Sequence, residues 1–191
     1  SVVNNKFYGR GLGLSCDPLP NYVYGNYFRN VNTAISAAAY EDEGGIYIKN
    51  NVIEADSNFS GGKIKLNWDG YYEVSDNTVC GKIESSLDSH GKVFNNFVYN
   101  SPSSYFGNGL DLGGYYDISN NIVMNSYKGL NVGWRVLSVD NNVMINNRYA
   151  LGNLSFSGVF HNNSIFIGNE ELDYWTTNDT LHIKNCIIDS I

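Results

Sequence analysis

The 191-residue chain carries 19 acidic and 12 basic side chains, a net charge of −7, and only three cysteines. Its basic residues are dispersed, which argues against a nucleic-acid ligand, and no apolar run approaches the roughly 20 residues that a membrane-spanning helix needs. Neither nucleic acid nor a membrane is therefore expected as a partner.

Along the chain one pattern recurs, seen most clearly in Tyr116-Asp117-Ile118-Ser119-Asn120-Asn121-Ile122-Val123-Met124-Asn125. Taking the second asparagine of each pair as the mark, the copies fall at Asn5, Asn26, Asn51, Asn77, Asn96, Asn121, Asn142 and Asn163, with Cys186 in that place in a ninth. The intervals are 21, 25, 26, 19, 25, 21, 21 and 23 residues. A period of this size is a supersecondary unit that cannot bury its own apolar face, so the units must stack. Val, Ile, Phe and Tyr dominate around the marks, and Asn and Gly punctuate short apolar runs, so the units are coils of strands. Asparagine at a tight corner tolerates the left-handed conformation, and its amide can hydrogen-bond along the stack as a ladder at the roughly 4.8 Å strand spacing. Gly25, Asp76 and Cys186 interrupt that row without breaking it.

On these residues the chain resembles the right-handed parallel β-helix superfamily of pectate lyases, polygalacturonases, alginate lyases and phage tailspikes. The resemblance implies an all-β, right-handed single-stranded parallel β-helix of about eight coils of 19 to 26 residues, forming one domain over residues 1–191. It also implies three strands per coil, the asparagine corner joining the second to the third. Because the repeat runs into both ends without an evident cap, the chain is expected to be a segment of a longer one, with self-association through open ends as an alternative.

Second strands precede the marks: Tyr22 to Tyr24, Ile46 to Ile48, Tyr72 to Val74, Val93-Phe94, Tyr116 to Ile118, Val136 to Val139, Val159-Phe160 and Leu181 to Ile183. First strands align by paired apolar residues, and alternation turns the middle residue of each outward. The outward column then reads Gly13, Ser36, Lys65, Glu84, Asp111, Asn131, Gly152. The next, Ser15, Ala38, Asn67, Ser86, Gly113, Gly133, is small and is expected to leave the surface open. A third contains Asp17, Tyr40, Asp69, Asp88, Tyr115 and Arg135. Long loops at Glu54 to Gly61 and Asn100 to Asn108, with only Cys80-Gly81 between them in the fourth coil, predict a notch floored by Glu84.

Glu84 and Asp111 on adjacent strands would approach the roughly 5 Å carboxylate separation of retaining glycosidases, and two such groups should not ionise equally. Lys65 is an alternative base for β-elimination, although Glu84 beside it would raise its pKa. These three are the candidate catalytic residues of a glycoside hydrolase or polysaccharide lyase. Asn131, Asp88, Tyr105, Asn67 and His90 are the candidate substrate-binding residues. The bland alternative is an ordinary polar outer face with a cross-strand ion pair. No cofactor is required, but Asp69, Asp88 and Glu84 together could hold Ca²⁺. His161 and His182 show no metal-ligand spacing, and Trp68 and Trp134 have the parity of core residues. Cys16 and Cys80, the closest pair of cysteines in the stack, are three layers apart, about 14 Å at strand spacing, so no disulfide is expected. A secreted or cell-surface protein that binds a polysaccharide is the leading expectation. The other is a structural or receptor-binding β-helix segment of a surface protein or phage fibre.

Overall fold

The computed structural model describes residues 1–17, 22–40, 44–56, 62–100, 107–133, 136–154, 160–162, 164–169 and 182–190. Among these there is no helix, and every strand pairing is parallel, as in a β-helix of about seven turns. The first sheet holds Leu12–Cys16, Thr33–Ala38, Gly62–Asn67, Thr78–Ser85, Leu110–Leu112, Lys128–Val132 and Tyr149–Leu154. The second has 9 strands, running from Val2–Val3 to His182–Lys184. The third follows each asparagine corner, and because coil four has no loop, the single strand Thr78–Ser85 belongs to both the third and the first sheets.

Inward alternation packs apolar files along each sheet. Ile35, Ile64, Ile83, Leu110, Leu130 and Leu151 stack in the first, and Ile48, Val74, Val93, Ile118 and Val139 in the second. Phe28, Ile53, Val79, Val98, Val123, Met144 and Phe166 stack in the third. Each is buried, and each contributes about 2 kcal/mol by leaving water. Cys16 is buried in the same interior, Cys80 is buried beside Tyr99 outside that cluster, and no disulfide joins the three cysteines.

The two asparagines of each pair divide the work that the sequence reading gave to one. The first takes the left-handed corner: Asn4, Gly25, Asn50, Asp76, Asn95, Asn120, Asn141 and Asn185 have φ between 54° and 66°. Gly25 and Asp76 therefore hold corner positions and leave the row of marks unbroken. The second asparagine turns inward and forms the ladder. From Asn5 to Asn121, the backbone N–H of each mark donates to the Oδ1 of the next at 2.9 to 3.1 Å. Its Nδ2 donates to the same oxygen, to the carbonyl two residues before it, and, from Asn26 onward, to a carbonyl one coil back. In the eighth coil Ser164 takes the ladder position, its Oγ accepting from Asn142 N–H at 3.3 Å, while Asn163, the mark read from the sequence, lies outside the described residues. The sequence mark was one residue early because His161-Asn162-Asn163-Ser164 offers two polar residues for the place.

A second ladder, unread in the sequence, lines the corner between the third and first sheets. Asn100 Nδ2 donates to Ser126 Oγ, Ser126 N–H to Asn147 Oδ1, and Asn147 N–H to Asn169 Oδ1, at 2.9 to 3.0 Å. Its last three members follow Asn125, Asn146 and Gly168, again left-handed. The signal was the second polar pair five residues after the first, as in Asn146-Asn147.

Losing a ladder side chain orphans several buried groups, each costing about 1–3 kcal/mol, whereas glycine tolerates the neighbouring left-handed corner. Asn96→Ala is therefore expected to destabilise by at least about 2 kcal/mol in urea unfolding, and Asn95→Gly to stay within about 1 kcal/mol of the parent. Equal losses in the two variants would contradict this division.

Candidate functional site

The outward file of the first sheet forms as expected from coil two onward. Ser36 pairs with Lys65, Lys65 with Glu84, Glu84 with Asp111, and Asp111 with Asn131. In coil one Ser15, and not Gly13, occupies the file, because Leu14 and Cys16 pair with Ile35 and Ala37. A slip of two residues keeps every side chain on its own face, so alternation could not distinguish the registers.

The carboxylates of this file have separate partners. Glu84 is held by Lys63 Nζ at 2.9 Å and by Lys82 Nζ. Lys65, its direct neighbour, points into solvent. Burial alone would raise the Glu84 pKa, but the hydrogen bonds and charges of Lys82 and Lys63 outweigh it and hold the carboxyl below its usual range. Asp111 accepts from Asn108 Nδ2 at 2.9 Å and from Asn131 Nδ2 at 2.6 Å. Glu84 thus has the geometry of a fixed negative charge more than that of a proton donor. Asn67 is tied back into the scaffold, its Nδ2 donating to Ser36 Oγ and Ala37 O, both at 3.1 Å. Tyr105, Trp134, Arg135, His161 and His182 lie outside the residues whose side chains are described, as do 57–61 and 101–106 of the two long loops.

Two clefts among the described residues lie elsewhere, at the corner joining the first sheet to the second. Successive coils place Tyr40, Trp68-Asp69 and Asp88 there, as the third column anticipated. One cleft of about 300 Å³ is lined by Tyr40, Trp68, Asp69, Ser86 and Asp88. A second, of about 280 Å³, shares Asp69 and Asp88 and adds His90 and Tyr115.

Trp68 is not a core residue: it is 55% exposed and meets Tyr40 with ring centroids 5.0 Å apart. Strand parity fails because the strand ends at Asn67 and Trp68 turns left-handed, at φ 70°. Every other described non-glycine residue with positive φ is Asn or Asp. A tryptophan there is strained by about 1–3 kcal/mol. Ser86 Oγ–H secures the turn by donating to Trp68 O at 2.7 Å. Gly70 follows because a Cβ on it would lie 2.3 Å from Ala39 Cβ. Beneath the corner, the buried Tyr72 hydroxyl accepts from Ala39 N–H at 2.8 Å and donates to Asn67 O. Desolvation pushes its pKa up to about 12, so it keeps the proton it donates.

The small column is not open as expected. The Leu87 side chain reaches 3.0 Å from a Cβ built on Gly113 and 3.6 Å from one on Gly133. The turn between Ser86 and Ser89 lays it across them.

An aromatic strip on the outer face of the second sheet leads to the clefts. Tyr22 stacks on Tyr47 at 4.9 Å, Tyr47 meets Tyr71 at 6.4 Å, and Tyr71 meets the edge of His90 at 5.7 Å, which pairs in register with Tyr115. No group of three His, Cys, Asp or Glu side chains suited to a metal ion occurs among the described residues, Glu84 being committed to its lysines.

The Glu84 sign follows from its depressed pKa: the stabilisation is complete above the ordinary value near about 4.3 and is lost as pH falls through the lower folded value. Glu84→Gln should therefore destabilise the protein at pH 7, and the gap to the parent should close toward pH 3 in paired urea melts. A gap independent of pH would remove the ion pairs as its cause.

No family model matches the chain, and comparisons with curated proteins and with solved structures likewise found no match, so the parallel β-helix is established and the likeness to pectate-lyase-type proteins rests on the repeat alone.

Proposed function

We propose that this β-helix is a carbohydrate-binding protein, secreted or displayed at a cell surface, that seats a glycan chain in the corner groove between its first and second sheets. The observation that carries the reading is Trp68, an exposed tryptophan held left-handed beside Tyr40 at the mouth of a cleft floored by carboxylates. Aromatic faces pack against the C–H faces of sugar rings while carboxylates accept from hydroxyls. Strain at a solvent-facing residue gains the fold nothing, and such strain concentrates at functional sites. The tyrosine strip extends the same surface along the coil stack.

Cleavage by a glycoside hydrolase or polysaccharide lyase route is the second reading. The register that files Lys65, Glu84, Asp111 and Asn131 side by side favours it. The third, a non-catalytic structural or receptor-binding segment, is the outcome if no glycan binds.

Trp68→Asn separates binding from folding. Asparagine suits the left-handed turn, so stability should hold or rise by up to about 1 kcal/mol, while affinity for a bound glycan should fall about tenfold. Glycan arrays and calorimetry on parent and variant measure both. A variant that loses stability and keeps affinity would overturn the site. Following the same panel for reducing ends and unsaturated products, with Glu84→Gln and Asp111→Asn as controls, tests cleavage.

A further inference from the structure

We infer that the outer face of the third sheet is a docking surface for a second copy of this chain. A strand with one face in water alternates polar and apolar residues, whereas a parallel strand covered on both faces reads as an unbroken apolar run. The outward files of the other two sheets follow the first pattern, with Lys65, Glu84 and Asp111 on one and Glu73, Lys92 and Asp117 on the other. The third strands follow the second. Ile122-Val123-Met124 and its successors Val143-Met144-Ile145 and Ile165-Phe166-Ile167 are apolar throughout, although the middle residue of each is the one that fills the core. On the outer side Ile122, Ile167 and Ile187 are 40%, 42% and 60% exposed, and the rings of Phe97 and Tyr99 stack there with centroids 5.2 Å apart. Register holds along the stack, so the columns are straight. From Thr78 to Ile187 in one column, and from Cys80 to Ile167 in the next, there is no charged side chain. An exposed apolar strip of this kind marks an interaction site.

Two features of the face select its occupant. Its rows repeat at the strand spacing of about 4.8 Å, so they interleave over several coils only with another sheet of stacked parallel strands. A second copy presents the same rows on the same face, as a two-fold contact requires. Charge points the same way: copies carrying −7 each repel unless they meet where neither places a carboxylate. The strip measures about 24 Å by 10 Å, a modest apolar centre beside the roughly 800 Å² per partner of a standard interface. The dimer is therefore expected to be reversible, with a dissociation constant in the micromolar range. The clefts lie at the one corner that the third sheet does not border, so both copies keep them open.

The experiment is sedimentation velocity of the parent and of an Ile122→Lys, Ile167→Lys double variant, from about 1 to about 300 μM. Both positions point outward, so the core stays filled and the variant should melt in urea like the parent. The parent should pass from monomer to dimer across that range, and the variant should remain monomeric. Added lysines lower the net negative charge and by charge alone would favour association, so loss of the dimer reports the face itself. Should the lysine pair fail to fold, Ile122→Thr, Ile167→Thr keeps branched side chains suited to strands and should raise the dissociation constant at least about tenfold. A parent that is monomeric throughout overturns the inference and leaves the face to a partner of another kind. A dimer of unchanged affinity in a folded variant, or an open series of larger species that the substitutions leave intact, overturns the assignment to this face.

Discussion

Everything in this molecule depends on satisfying backbone polar groups at corners that face the core. A coil of three strands must turn sharply, and each turn points amide groups into an interior without water. Asparagine answers this with one side chain that accepts at Oδ1 and donates at Nδ2, so each coil closes the corner of its neighbour. The marks from Asn26 to Asn142 are all buried to within 1% exposure, a burial that amides tolerate only when fully hydrogen-bonded. Where the sequence substitutes Ser164, the contact lengthens to 3.3 Å, because a hydroxyl reaches less far than an amide.

A ladder of this kind also fixes register, and register decides what reaches the surface. Two of the three corners carry ladders, and their sequence variation is confined to Asn, Gly, Asp and Ser in most coils. Among the described residues the corner between the first and second sheets carries none. Its backbone groups are served by local devices instead, such as the Tyr72 hydroxyl bridging Ala39 and Asn67. Freed from the ladder, it can accept Tyr40, Trp68 and Asp88, and two clefts form there.

This explains what was legible in the chain. The repeat and the file through Lys65, Glu84, Asp111 and Asn131 follow from periodicity, because alternation and stacking are local rules applied over and over, whereas three strands per coil came from the family resemblance. The partners of Glu84 were not legible. Lys63, Lys65 and Lys82 all lie outward by parity, and only side-chain reach selects Lys63 and Lys82. Trp68 was misassigned because alternation ends where the strand does, and no periodic signal marks a left-handed tryptophan. The third column was legible in outline, since Asp69 and Asp88 do share a groove, although their distance from the asparagine mark weakened the alignment.

The distribution of carboxylates sharpens the contrast between scaffold and site. Several on the sheet faces have side-chain partners: Asp56 has Arg29 and Asn30, Glu73 has Lys49, Glu84 has two lysines, Asp111 has Asn108 and Asn131, and Glu54 and Asp117 accept from the hydroxyls of Tyr27 and Ser138. Stacked strands bring like positions within about 5 Å, so an unpaired carboxylate in a file repels its neighbours, and pairing relieves that repulsion. Asp69 and Asp88 lie on adjacent coils at the same corner and share two clefts without such relief.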